Sequence, residues 1–539
     1  MSEPPVGPVG KIALALSGGG YRAAAFHLGS MHTLHEAGLL PDVALLSTVS
    51  GGTFVGAAYA LSLAEGQTFP EFFDQLRTRL QNARPVHRAV EILLRGRGSG
   101  LPRHTLIAAQ ADALAELFFG ERKFGALLRT TTTLDEIAFN ATDFRAGLPF
   151  RFLKSVNPRA RIGNGRNSIP GGVAEQIRIA DIVAASSCFP GGFEPIGFPD
   201  DFRWEDAERV SADLAEHRGE AYREPIPLMD GGVADNQGLG SLRDAMGRWG
   251  KKTGQSVGMV FISDADPAAD KPLLRHTLRP TPGRFRVGDL VVAAQVVCCL
   301  ALIAAALLGW RLVNMLWTRD LVSWPFMLES VLSFGVCATV AIGLGVAVWQ
   351  TRGAVARGSA EIPGIDVWRT LSRLSLGWLI DLIAVRARSL LAMSSSVFTK
   401  NIRDLRYREL FADAEYRHRV LGNQIYDLAP LRHRQQTAAA AIVRTTPAIQ
   451  ALADRARDMP TTLWFEDDRQ LDDVLLCGQL TACYNLLLWT DRRLREGDTA
   501  DGPAPPRDHA PGVAQAVALR ALRDRLTDIW ARLREAAEG

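Results

Sequence analysis

Cysteine is scarce in this chain, with six in 539 residues. Cys298, Cys299 and Cys337 fall inside apolar runs, and Cys188, Cys477 and Cys483 have no metal-ligand spacing. Neither a disulfide framework nor a metal site is therefore expected. Reduced thiols in a cytoplasmic setting are the simplest reading. Net charge is also small, at +3, and no stretch interleaves basic with aromatic residues, so no nucleic-acid partner is expected. The opening MSEPPVGPVGKIALAL lacks a basic region running into a long apolar core, so no signal peptide is expected. Internal repeats are absent as well. What the chain has in excess is apolar character: 47% of residues are hydrophobic and mean hydropathy is near zero. That is high for a soluble protein long enough to hold more than one domain, and it hints at membrane segments.

The most informative stretch is residues 11–60, which holds two strand–turn–helix units in succession. Lys11–Ser17 is an apolar run ending in Gly18-Gly19-Gly20, and Tyr21–Ala37 then repeats small and apolar residues at helical spacing up to Gly38. Val43–Val49 is a second, partly β-branched run, which Ser50-Gly51-Gly52 turns into a helix over Thr53–Leu63. A serine at the tip of such a turn has the setting of a nucleophile elbow. The helix that follows aims its N–H groups and positive dipole end at incoming negative charge. Three consecutive glycines upstream would let backbone N–H groups approach an oxyanion unobstructed, each donor worth about 3–4 kcal/mol of barrier. Arg22 adds a cation nearby.

Two plainer readings compete. Gly18-x-Gly20-x-x-Ala23 also fits a dinucleotide fingerprint, but the second strand ends in Val49-Ser50-Gly51 without the acidic residue that would hold a ribose. Ser50 alone could be no more than a helix N-cap. The triglycine before it and Asp230 after it favour the catalytic reading.

Taken together, Gly18-Gly19-Gly20-Tyr21-Arg22, then Thr48-Val49-Ser50-Gly51-Gly52, then Asp230-Gly231-Gly232 resemble the patatin-like phospholipase family. Its members carry G-G-G-x-[RK], a G-x-S-x-G elbow and a later D-G-G. Ala184–Pro190 followed by Phe193-Glu194-Pro195 is a fourth matching element, and the resemblance covers residues 10–270. Thr48 departs from the pattern by standing at the elbow's first glycine, which puts the tightness of strand–helix packing in question. The resemblance implies an α/β fold with a central, mostly parallel sheet and flanking helices. It also implies a Ser–Asp dyad of Ser50 and Asp230, an oxyanion hole from Gly18, Gly19, Gly20 and Arg22, and no metal or other cofactor. A Ser–Asp–His triad is the rival, but none of the ten histidines sits in a recognisable motif. His27, His32 and His35 read as packing or surface residues of the first helix.

Further along, Phe69–Ala83 reads as an amphipathic surface helix. Arg84–Arg103 mixes arginines with Ile92-Leu93-Leu94, which suits either a solvated helix and loop or a patch facing lipid headgroups. Strands are expected over Thr132–Asn140, Phe150–Val156, Pro225–Met229 and Ser256–Ser263, a helix over Ile177–Ala185, and an exposed excursion over Glu205–Glu224.

Val291–Trp310 and Ser330–Trp349 are charge-free runs of twenty residues, each long enough to cross ~30 Å of hydrocarbon as a helix. Trp310, Trp317, Trp324 and Trp349 stand where interfacial anchors belong. Arg284, Arg286, Arg352 and Arg357 flank the pair against Arg311, Arg319 and Asp320 in the connector, which places the outer flanks in the cytoplasm. Leu371–Met393 is broken by charges and fits a helix lying in the interface, with a third span as the alternative. Asn401–Arg434 reads as helical, Leu475–Trp489 as a late closing helix, Glu496–Pro511 as a linker and Val513–Ala537 as an amphipathic helix of unknown partner.

The expected organisation is a catalytic domain over 1–275, a transmembrane hairpin over 286–352, an interfacial helix over 361–395, a helical region completing the catalytic domain over 396–498, and a linker with terminal helix over 499–539. The expected function is a membrane-embedded serine hydrolase of lipid acyl esters, of phospholipase A or lysophospholipase type, with its catalytic domain facing the cytoplasm. Its partners would be a phospholipid or other acyl-ester substrate and the bilayer; no protein partner is read from the sequence. A neutral-lipid lipase, a lipid acyltransferase and a non-catalytic lipid-binding protein remain alternatives.

Overall fold

A computed structural model describes residues 8–95, 100–218, 224–267, 286–318, 324–359, 373, 375–430, 443–498 and 513–539. The chain divides into two units, one of Met1–Asp270 with Ser394–Gly539 and the other of Lys271–Met393.

In the first unit, β1 (Ile12–Leu16) is apolar throughout because both its faces are covered. Ile12, Leu14 and Leu16 join the larger core, and Ala13 and Ala15 the smaller. It leads into α1 (Gly20–Glu36), and β2 (Val43–Val49) leads likewise into α2 (Gly51–Ala64). Then come α3 (Phe69–Asn82), α4 (Pro85–Leu94), α5 (Leu106–Leu114) with a π-type turn over Ala115–Phe119, and α6 (Phe124–Arg129). The strands β3 (Glu136–Asp143), β4 (Leu148–Lys154), β5 (Ile162–Gly163) and β6 (Ser168–Ile169) precede the short α7 (Gly171–Ala174) and α8 (Ile179–Ser187). β7 (Ile196–Phe198), α9 (Ala207–Arg218), β8 (Ile226–Asp230), α10 (Gly232–Asp235), α11 (Leu239–Thr253) and β9 (Met259–Asp264) follow.

The second unit contains α12 (Val287–Thr318), α13 (Trp324–Ser359) and α14 (Leu376–Ala392). The chain then returns to the first unit with α15 (Thr399–Ala412), β10 (Val420–Gln424), α16 (Pro447–Asp458), α17 (Asp468–Asp498) and α18 (Val513–Glu538).

Among the described residues the sheet has 10 strands, in the order β10-β9-β1-β2-β3-β4-β5-β6, with β8 pairing β3 and β7. Its heart, β10-β9-β1-β2-β3, is parallel; β4 to β8 add antiparallel pairings beyond β3. Helices flank it, so the architecture is the α/β one that the sequence implies, with a helical C-terminal region. The carboxyl ends of β1 and β2 lie side by side and carry the two glycine turns, where α/β sites collect.

α17 is the main support of α1. Where they cross, a Cβ on Gly29 would lie 2.1 Å from Leu475 O, and one on Gly478 would lie 2.2 Å from Phe26 O. The helices touch backbone to backbone, and Thr33 Oγ1 donates to Gln479 O at 3.0 Å. α18 in turn buries Leu519, Leu522, Leu526 and Ile529 in the larger core. Its Arg525 donates to Ala37 O (3.0 Å) and Arg532 pairs with Glu36 (2.9 Å), closing the C-terminal end of α1. The helix that had no assigned partner packs on its own chain.

Three local expectations change. Asn401–Arg434 is not one helical stretch: α15 ends at Ala412, and Val420–Gln424 forms edge strand β10 along β9. Residues 431–434 lie outside the described residues. The Glu205–Glu224 excursion contains helix α9, which buries Val210 and Leu214 one turn apart; residues 219–223 lie outside. β3 begins at Glu136, four residues after the expected start.

In the second unit, two helical segments, Val287–Asn314 and Val331–Gln350, have mean hydropathies of 2.7 and 2.3 and are long enough to cross a membrane. They meet through small residues: Ala305 and Ala341 are buried, and Cys298 Sγ donates to Ala341 O at 3.3 Å. Trp310, Trp317 and Trp349 are exposed. Arg97, Arg284, Arg319, Asp320 and the 499–511 linker lie outside the described residues, as do residues 361–372 and 374 of the interfacial segment.

The α1–α17 crossing yields a test. Gly478→Ala forces two helix backbones apart, at a cost of about 1–3 kcal/mol. Thermal unfolding should show a lowered midpoint, whereas Gly422→Ala, with open space around it, should leave it unchanged.

Candidate active site

Ser50 joins β2 to α2 at φ 49° and ψ −117°, and it is the one non-glycine residue with positive φ among those described. Such a conformation costs about 1–3 kcal/mol and persists only where the surroundings over-determine it. Here they do. A Cβ on Gly51 would lie 2.1 Å from Gly20 O, and one on Gly52 2.3 Å from Leu16 O, so the turn is wedged against the end of β1. Ser50 N–H donates to Ser186 Oγ at 3.0 Å, and Ser186 Oγ donates to Asn140 O at 2.6 Å. Thr53 Oγ1 lies 2.8 Å from the same hydroxyl. One serine at the end of α8 therefore ties together β2, β3 and α2.

The elbow also accommodates Thr48. A Cβ on Gly56, in the second turn of α2, would lie 2.4 Å from Thr48 Cγ2. The small residue has moved from strand to helix, and strand and helix still pack closely. Thr48 Oγ1 meets Thr53 Oγ1 at 2.9 Å, which satisfies the added hydroxyl.

Asp230 ends β8, opposite Ala141 of β3. Its N–H donates to Cys188 O (2.9 Å) and its C=O accepts from Thr142 Oγ1 (2.8 Å), which fixes its backbone. Asp230 is 7% exposed; its carboxylate accepts from Gly232 N–H at 2.7 Å and has the Ser50 hydroxyl as a hydrogen-bond partner. Burial raises its pKa to about 6 against the opposing pull of those two donors. The structure thus brings Ser50 and Asp230 together.

The four oxyanion-hole candidates divide. Gly19 and Gly20 have φ of 140° and 59°, and their N–H groups find no acceptor among the described residues. Gly18 N–H is already donated to Asn236 O at 2.9 Å; a side chain there would run into Asn236 Oδ1 (2.4 Å) and press on Ser50 Cβ (3.3 Å). Arg22 is buried rather than projecting as a free cation. It donates to Met459 O and, at 3.2 Å, to Thr461 Oγ1. Burial lowers its pKa to about 10 while Asp266 and Asp264 raise it. It braces the segment whose Thr462 O accepts Tyr21 N–H at 2.8 Å.

The histidines of α1 lead elsewhere. His27 is fully buried between Ser263 Oγ (2.7 Å) and Ser17 O (2.9 Å), and burial lowers its pKa to about 4. His32 and His35 pack against Phe73 and Phe69. Cys188 is buried, and burial holds its thiol protonated. No group of three or more metal-ligating side chains occurs among the described residues.

Sequence reasoning missed Gly51, Ser186 and Asn236. Gly51 carries an N–H without an acceptor among the described residues, directly after the elbow serine, as its position alone suggested. Ser186 lay inside a motif whose role was unassigned. Asn236 fills the space beside Gly18 and Gly232, where a Cβ would lie 2.4 and 2.7 Å from its Oδ1, and so locks the glycine loop to the Asp230 turn.

A strained serine elbow, a buried aspartate beside it and glycine amides alongside are groups that could serve acyl transfer. Residues 14–242 match the family model described as Patatin-like phospholipase. That domain supports lipid acyl hydrolysis as the general activity. No curated protein matches the chain.

The Thr48–Gly56 exchange predicts coupling. Gly56→Ala alone should lower both turnover and thermal stability, at about 1–3 kcal/mol. Adding Thr48→Ser, which removes the clashing methyl but keeps the hydroxyl, should recover most of the loss in a double-mutant cycle.

Proposed function

We propose that the chain is a membrane-embedded serine lipid acyl hydrolase of phospholipase A or lysophospholipase type, working through a Ser50–Asp230 dyad. The observation that carries this reading is the pairing of Ser50 with a buried carboxylate whose pKa stands near 6. A base poised just below neutrality is ionised at working pH yet basic enough to take a proton.

In the proposed cycle, Ser50 Oγ attacks the ester carbonyl carbon as its proton passes to Asp230. The oxyanion is met by the N–H groups of Gly19, Gly20 and Gly51 at the positive ends of α1 and α2. Collapse expels the alcohol, a lysolipid or glycerol derivative, which takes the proton from Asp230. Water then attacks the acyl-serine, gives its proton to Asp230, and the fatty acid leaves as Ser50 regains a proton. Arg22 serves the glycine loop as a brace. Gly18 is kept small by its neighbours Asn236 and Ser50.

We further infer that 1–275 and 396–498 form one catalytic domain, interrupted by a hairpin over 286–352 that inserts from the cytoplasmic side and by an interfacial helix over 361–395. The terminal segment 499–539 contributes its helix to the same domain. Lipids have very low free concentration in water, and tethering raises their effective concentration at the site without changing the chemistry.

Ser50→Ala should abolish both hydrolysis and fluorophosphonate labelling, and Asp230→Asn should lower turnover by ~10³-fold or more. Since Asp230 must be ionised to act, kcat/KM should fall about tenfold per unit below pH about 6 and stay level just above it. A His→Ala variant as inactive as Asp230→Asn, yet folded, would replace the dyad with a triad.

For topology, single cysteines near Arg284 and Arg357 should resist an impermeant reagent in intact cells, while one near Thr318 should react. The reverse pattern would overturn the cytoplasmic placement.

A further inference from the structure

Two exposed aromatic side chains stand on segments that hold the site, and the mechanism uses neither. Phe189 is 43% exposed and Trp464 is 41% exposed. Phe189 follows Cys188, whose carbonyl accepts the N–H of Asp230. Trp464 lies two residues beyond Thr462, whose carbonyl accepts Tyr21 N–H and would lie 2.4 Å from a Cβ on Gly20. One aromatic therefore borders the carboxylate side of the site and the other borders the glycine loop.

Neither exposure comes from a loose segment. The Phe189 ring lies across Gly192, where a Cβ would sit 2.2 Å from it, and meets Phe193 edge-on at 5.5 Å. Gly192 N–H and Phe193 N–H both donate to Phe189 O, and Cys188 Sγ donates to Glu194 O at 2.8 Å. On the other side, buried Arg22 anchors Met459 and Thr461, and Thr462 Oγ1 donates to Trp464 O at 2.7 Å. Phe144 and Phe411 are as exposed, so exposure alone is ordinary; what sets Phe189 and Trp464 apart is that both stand on braced segments next to the site.

We propose that Phe189 and Trp464 are the lips of the active site and enter the acyl region of a phospholipid bilayer. The occupant is a bilayer because the same chain carries two helices apolar and long enough to cross one, joined to the domain through Asp270 and Ser394. A ring of this kind, apolar in body and, for Trp464, with one polar N–H, suits the boundary between headgroup and acyl chain. The inference rests on the membrane-embedded reading, and it assigns the surface through which lipid reaches Ser50.

The test uses the full chain reconstituted in phosphatidylcholine vesicles, with Cys298→Ala, Cys299→Ala and Cys337→Ala; Cys188, Cys477 and Cys483 are buried. An environment-sensitive fluorophore is placed at Phe189→Cys, at Trp464→Cys, or at Val517→Cys as an exposed control on α18. At 189 and 464 the emission should shift to the blue, resist aqueous iodide and be quenched by brominated lipid; at 517 it should do none of these. Iodide access at 189 and 464 equal to that at 517 would overturn the proposal. This readout needs no turnover, so it fails or succeeds independently of the hydrolase reading.

Kinetics give a second measure. Phe189→Ser and Trp464→Ser should each lower hydrolysis of vesicle phospholipid about fivefold or more, while a short soluble ester is cleaved within about twofold of the unaltered protein. Phe189→Leu and Trp464→Phe should keep vesicle activity. Equal losses on both substrates would assign the two rings to loop structure instead.

Discussion

The backbone of Ser50 cannot hold its conformation alone, and much of the surrounding architecture is what keeps it there. Left-handed φ at a non-glycine residue relaxes unless neighbours forbid it. The neighbours here come from three separated parts of the chain: the end of β1 with the triglycine loop that continues it, the Ser186 hydroxyl on α8, and the Asn140 carbonyl on β3 that holds that hydroxyl. Small residues let backbone meet backbone at the end of β1, and the Ser186 hydroxyl adds a side-chain tie. Ser186 is notable for acting on several elements at once, since Gly231 N–H also donates to its carbonyl. The same residue thereby connects the turn bearing Ser50 with the turn bearing Asp230.

Electrostatics follows from that packing. Bringing Asp230 under the elbow removes it from water, which raises its pKa, and the Gly232 amide and Ser50 hydroxyl limit the rise. A second group of charges, Arg403 with Asp264 and Asp266, lies where the chain leaves β9 and returns on α15, at 3.0 and 3.2 Å. Buried pairs of this kind add little net stability but tolerate few alternative arrangements. They tie the start of α15 to the end of β9.

Local order determined what could be read beforehand. β2 was legible to its exact ends because β-branched residues and a glycine turn bound it, and α3 because Phe69, Phe72, Leu76 and Leu80 repeat at helical spacing. The strand–turn–helix setting of Ser50 and the strand-end position of Asp230 were legible for the same reason. β10 was not, since Val420-Leu421-Gly422-Asn423-Gln424 is short, interrupted by glycine and stabilised by β9 more than 150 residues earlier. The direction of Arg22 was equally hidden. Its partners, Met459 and Thr461, are separated from it by 437 and 439 residues, and no periodicity reports a contact over that distance. Thr48 raised a doubt in the sequence that only Gly56 resolves, because the compensating residue sits on another element.

The interrupted path of the first unit sets an order of events at the ribosome. β1, both glycine turns, the elbow and Asp230 are all made before residue 271, but β10, the brace for Arg22 and the α17 surface that receives α1 come only after Met393. At synthesis rates of about 5–20 residues per second, the apolar helices emerge several seconds before the pieces that complete the sheet. Through that interval Ser50 and Asp230 exist in a chain whose first helix still lacks its partner. The pieces that brace the triglycine turn are therefore made last, after the apolar helices have left the ribosome.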